Sequence, residues 1–139
     1  MEMTVSITDS FLQDVLNDEV AFIRAVRAGI PGQFVRDTVE LLGGHNKLVA
    51  ELAGTTPGNL HRTYKKEALS KAHSEAILDL LRLFAYASTI FDCDDIVREW
   101  LYCEIPALSG SRPIDLMDTF QGRAMVRDAL GKIQSGDFS

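Results

Sequence analysis

Apolar residues recur along this chain every three or four positions, in stretches separated by glycine, proline and acidic breaks, and that spacing predicts helices. After a loose start over residues 1–10, Phe11, Leu12, Val15, Leu16, Val20, Phe22, Ile23 and Val26 keep helical spacing, interrupted by polar Asn17, Asp18 and Glu19. One bent helix and two short ones fit that pattern equally. Gly29, Pro31 and Gly32 close it, and Phe34, Val35, Val39, Leu41 and Leu42 outline the next helix up to a stop at Gly43 and Gly44. From Asn46 the pattern is a helix, a tight turn and a second helix over residues 57–66, with Thr56 as its expected N-cap and Pro57 at its first position. Ser70 then caps the longest element, where Ala76, Ile77, Leu80, Leu81, Phe84, Ala87, Ile90 and Phe91 form a wide apolar stripe. A helix over Lys71–Phe91 is roughly 30 Å long and serves as the spine of the chain.

Asp92, Asp94 and Asp95 follow, placed where a helix carrying Ile96, Val97, Trp100 and Leu101 needs capping and negative charge, so they read as a helix start and not as a cation site. Pro106 ends that helix. Residues 112–139 hold the densest pattern: a short helix around Pro113, then an amphipathic one whose start has the capping spacing Asp118 to Gln121. Met125, Val126, Ala129, Leu130 and Ile133 make its apolar face, while Arg123, Arg127, Asp128 and Lys132 fall opposite. Leu116, Val126, Leu130 and Ile133 are expected in the core. Gly136 stops the helix, leaving Asp137, Phe138 and Ser139 as an untethered tail.

Composition changes this picture only in part. With 139 residues, 46% of them hydrophobic, the chain can bury a core as one domain or two small ones. The net charge of −6 is uneven: residues 1–44 and 92–139 are acidic, and residues 45–91 carry a small positive excess, the one region suited to a polyanion. No apolar run approaches the roughly 20 residues that span a bilayer, and the first residues lack a secretory pattern, so a cytoplasmic protein is expected. Cys93 and Cys103 lack CxxC pairing and are expected to be reduced packing thiols.

Chemistry is sparse. His45, His61 and His73 lie in different segments, with no nucleophile motif and no phosphate loop, so neither an enzyme nor a metal or cofactor site is expected. The strongest signal is the spacing Ala50, Gly54, Leu60, that of a DNA-binding helix-turn-helix: a small residue for close helix approach, glycine for the left-handed turn, leucine for the core. In that reading His61 and Arg62 reach base edges, Thr56, Lys65 and Lys66 meet phosphates, and Asn59 joins them on the DNA-facing side. Pro57 and Gly58 occupy early positions where base-contacting side chains usually sit, so readout rests on few residues and modest single-chain affinity is expected.

The segments ELAGTTPGNLHRTYK, LSKAHSEAILDLLRLFAYASTIFD and LSGSRPIDLMDTFQGRAMVRDALGKIQSG, with Trp100, Leu101, Gly110, Arg112, Pro113, Thr119, Gly122 and Gly136 in order and spacing, resemble the Xre/MbcA/ParS antitoxins. The resemblance implies an all-α protein: an N-terminal helical region over 1–44, a helix-turn-helix over 45–69, and a helical toxin-binding and dimerisation domain over 70–139, joined through the long central helix. It implies a homodimer that represses its own operon by binding operator DNA and neutralises a RES-domain, NAD-consuming toxin by blocking its active site. Arg112, Arg123, Arg127, Gly136, Asp137, Phe138 and Ser139 are then the expected toxin contacts. Asp137, the terminal carboxylate and the Phe138 ring offer a crude mimic of the charge and base of NAD. The competing reading is a stand-alone helix-turn-helix regulator without a toxin.

Overall fold

A computed structural model describes residues 10–136, with side chains described from Leu12 onward. Every regular element among them is helical, as the apolar periodicity predicts. The chain divides into two compact units, Met1–Arg82 and Leu83–Ser139, and the division falls inside the longest helix.

The first unit opens with two short helices. The polar interruption is a real break: Asp18 takes the last hydrogen bond of α1 (Ser10–Asn17) through its amide, while its carboxylate accepts from the amides of Val20 and Ala21 to start α2 (Glu19–Ala28). Phe22 and Val26 are the buried side of α2, and Val20 and Ile23 are left exposed. After α3 (Gln33–Leu41), His45 caps α4 (Asn46–Leu52) by accepting from the Leu48 amide at Nδ1. Leu48, Val49, Ala50 and Leu52 are buried. Gly54 then turns with φ +73°, and its missing side chain leaves room for the His73 ring.

The segment expected as one helix over 57–66 is shorter and split. Pro57–Asn59 is a 3-10 turn, and only α5 (Leu60–Tyr64) is α-helical. Thr56 has the extended backbone of a cap but its side chain makes no capping bond, because the tight first turn closes through the main chain, Asn59 amide to Thr56 carbonyl. Leu60 and Thr63 anchor α5, which packs on α3. The chain on either side is clasped by backbone bonds from Gly32 to the Lys66 carbonyl and from Leu69 to the Ile30 carbonyl.

Helix α6 (Lys71–Phe91) has the predicted limits, and Ser70 caps it by accepting from the His73 amide. Its middle is buried more completely than a stripe requires. Ile77, Leu78, Leu80 and Leu81 are all fully enclosed, and the buried Asp79 carboxylate is bonded at 2.8 Å by Arg82, whose guanidinium lies 4.0 Å above the Phe22 ring.

The second unit contains the end of α6, α7 (Asp94–Leu101), two 3-10 turns (Pro106–Leu108 and Pro113–Leu116) and α8 (Phe120–Gln134). Its core is Leu83, Phe84, Ala87, Val97, Leu101, Ile114, Met117, Val126 and Leu130. Leu116 and Ile133, expected in that core, are only partly buried. The cap of α8 is Thr119, not Asp118: its hydroxyl accepts from the Gly122 amide at 2.9 Å. Thr119 wins because Gly122 packs so closely on the Leu116 carbonyl that a Cβ would overlap it, which fixes the turn. Cys93 and Cys103 are both exposed, contrary to the expectation of packing thiols; the neighbouring Val97 and Leu101 fill the core instead.

Candidate functional site

Two helical surfaces carry the side chains singled out above, one in each unit. On α5, burial of Leu60 and Thr63 turns the other side outward, so His61, Arg62, Lys65 and Lys66 are all exposed, as are Thr56 and Asn59 just before. The His61 ring meets Tyr64 edge-on, with centroids 5.5 Å apart. No carboxylate among the described residues lies within ion-pair distance of Arg62, Lys65 or Lys66. Burial raises the Tyr64 hydroxyl above its ordinary value, keeping that ring neutral beside the basic side chains. All six side chains read as DNA-facing are thus exposed, on or directly beside a short helix anchored by two buried residues.

In the second unit, α8 is anchored through Gly122, Arg123, Val126, Ala129 and Leu130. Arg123 therefore does not stand on the solvent face where the periodicity put it. Only 6% of it is exposed, and its Nη1 donates to the Met117 carbonyl at 3.0 Å, closing the 3-10 turn that precedes the helix. A carbonyl without a helical partner needs a donor, and the long arginine side chain reaches back to supply it. Arg127 is half-buried. Arg112 is partly exposed, but Nε and Nη2 bind both oxygens of Asp115 at 2.8 and 2.9 Å, and the guanidinium lies 5.7 Å from the Tyr102 ring. The Asp115 hydrogen bond and charge raise the Arg112 pKa further, so it stays cationic. Gly136 is exposed with φ +79° at the end of α8. Asp137, Phe138 and Ser139 lie outside the described residues.

One exposed residue was missed. Phe120, the first residue of α8, is 73% exposed, the most open of the exposed large apolar side chains, and Met125, placed in the apolar face by periodicity, is exposed too. The available signal for Phe120 was its place: it opens α8 directly after the Thr119 cap, where no earlier turn of the same helix covers it. For Met125 the helix rotation is set by the close contact at Gly122, which turns its position outward.

Among the described residues no group of His, Cys, Asp or Glu is arranged to hold a metal ion, and no helix is long and apolar enough to cross a membrane. Asp94 instead accepts from the Ser88 hydroxyl, and Asp95 pairs with Arg98.

Residues 87–136, which fall within the second unit, match the model of the antitoxin Xre/MbcA/ParS C-terminal toxin-binding domain. Over 127 aligned residues the chain is 28% identical to the Prs ADP-ribosylating antitoxin of Sphingobium sp. (strain YBL2), covering 84% of this chain and 80% of that one.

Proposed function

We propose that the chain is an antitoxin of the Xre/MbcA/ParS type, with residues 87–136, where that family's toxin-binding domain matches, facing the toxin, and that it acts on both its toxin and DNA. Its toxin partner is an NAD-using enzyme of the RES type, which the antitoxin silences by covering the active-site entrance. The observation that carries this reading is the match of the toxin-binding domain to the second unit. The name of the Sphingobium relative, an ADP-ribosylating antitoxin, supports NAD as the toxin's substrate, because ADP-ribosyl transfer draws on NAD. Arg112, Arg127, Gly136 and the tail Asp137, Phe138 and Ser139 are the proposed contacts, with Phe120 added for its exposure. Arg123 is withdrawn from that surface and acts by holding the turn before α8.

The same chain represses its own operon as a homodimer through α5, with His61 and Arg62 toward bases and Thr56, Asn59, Lys65 and Lys66 toward the backbone. The unpaired basic side of α5 supports this reading. A stand-alone regulator is the competing account, and it gives no role to a toxin-binding domain.

The test is co-expression with the product of the adjacent gene, following growth and cellular NAD. The reading predicts that the neighbour alone depletes NAD and arrests growth, and that this chain restores both. A neighbour with no effect on NAD contradicts it. Removal of Asp137, Phe138 and Ser139 is expected to weaken rescue while sparing operator binding; full rescue by that truncation removes the tail from the mechanism.

A further inference from the structure

Two features fix the turn between α4 and α5, one in the turn itself and one brought to it by α6. Gly54 takes φ +73°, its amide donates to the Glu51 carbonyl, and the Thr55 amide donates to the Ala50 carbonyl, so the backbone reverses directly after α4. A Cβ built on Gly54 would overlap Cε1 and Nε2 of the His73 ring, so the imidazole fills the space a side chain at position 54 would take. Glycine is therefore required twice here, by the left-handed backbone and by the ring laid against it. Asparagine meets the first requirement and violates the second.

His73 reaches the turn from a fixed base. It stands in the first turn of α6, half-buried, and its Nδ1 lies 2.9 Å from the Ser70 hydroxyl oxygen, which also accepts from the His73 amide at 3.3 Å. Leu69, just before, is pinned at both of its backbone groups: its amide donates to the Ile30 carbonyl, and its carbonyl accepts from the buried Ser74 hydroxyl, which in turn accepts from the Ile30 amide. The imidazole is thus a strut between a braced helix start and the turn. A helix of five residues has no stability of its own, so what flanks α5 decides where it points. The turn at Gly54 is the flank that leads into it, and Leu60 and Thr63 hold it from below.

We propose that His73 is a positioning residue for DNA binding: its ring, held by Ser70, seats on the bare backbone of Gly54, fixes the turn between α4 and α5, and so sets how α5 meets the duplex. It touches no DNA itself. The proposal rests on the reading of α5 as the DNA-facing helix. It separates His73 from His61, which that reading places against the bases, and it couples positions 54 and 73 across 19 residues of chain.

The experiment uses the full chain and labelled duplex from the region directly upstream of its own gene, titrated over a salt series at a temperature where circular dichroism shows each variant folded. His73→Ala is expected to lose affinity about three- to tenfold with the slope of log Kd against log salt unchanged, because no phosphate contact is removed, whereas Arg62→Ala flattens that slope. Gly54→Asn, which keeps the left-handed turn and displaces the ring, is expected to lose as much, and Gly54→Asn/His73→Ala no more than either single variant, since both remove one contact. Losses that multiply in the double variant overturn the coupling, and a flattened slope in His73→Ala makes the ring a direct contact and overturns the positioning role. Wild-type affinity in His73→Ala together with weakened binding in Arg62→Ala overturns the role of His73 and leaves the reading of α5 standing. Absence of binding by wild type overturns both. Should His73→Ala not fold, Gly54→Asn carries the same comparison; failure of both to fold assigns the ring to the fold alone and overturns the proposal.

Discussion

Helices α5 and α8 use basic residues in opposite ways. On α5 the anchors are Leu60 and Thr63, and every cation stays at the surface. On α8 one of two arginines has been drawn into the fold: Arg123 is buried against the Met117 carbonyl, while Arg127 is half-buried. The difference follows from what precedes each helix. Both preceding 3-10 turns close through their own main chain, Asn59 to Thr56 before α5 and Asp115 to Arg112 before α8, but the second ends on the Met117 carbonyl, which the Arg123 side chain satisfies. A charged residue opposite an apolar stripe is thus a surface residue only where the flanking turn makes no demand on it.

The comparison is broken most severely by attacking the α8 anchor. Leu130 is fully buried, and Leu130→Ala is expected to cost about 2–5 kcal/mol, read as loss of the cooperative melt in thermal denaturation together with loss of neutralisation. Next in size, Arg123→Ala removes a donor from a buried carbonyl and is expected to cost about 1–3 kcal/mol, so its effect on neutralisation tracks its melting temperature. Arg127→Ala sharpens the contrast: at this half-buried position it is expected to lower the melting temperature less than Arg123→Ala does, while reducing neutralisation. Equal melting temperatures for the two arginine variants would return Arg123 to the surface class. Smallest is Asp37→Asn. Burial raises the Asp37 carboxyl above its ordinary value of 3.8, so ionisation works against the folded state. The variant is expected to melt slightly higher than wild type at neutral pH, and that advantage should vanish well below 3.8, where the acid is protonated in both states.

Much of the fold was legible because the signals were local. The limits of Lys71–Phe91, the break at Asp18, the left-handed Gly54 and the buried Ala50 and Leu60 each follow from residues within one or two turns. Where the sequence reading missed, the decisive contact lies outside the helical period. Thr119 displaced Asp118 as the cap of α8, and Met125 turned outward, because Gly122 packs on the Leu116 carbonyl; no hydropathy pattern records that approach. Thr56 failed to cap because the first turn before α5 is 3-10. The surface of the second unit was legible in its cations and missed in Phe120, which a hydrophobic count assigns to a core.

In the proposed division of labour α5 serves DNA and the second unit serves the toxin, each through its own side chains. The most direct measurement takes the full-length Arg62→Ala/Lys65→Ala variant and assays, in the same cells, rescue from the adjacent gene's product and repression of a reporter carrying the upstream region. Full rescue with repression lost is the expected outcome. Loss of rescue in a normally folded variant, or repression at the wild-type level, contradicts it.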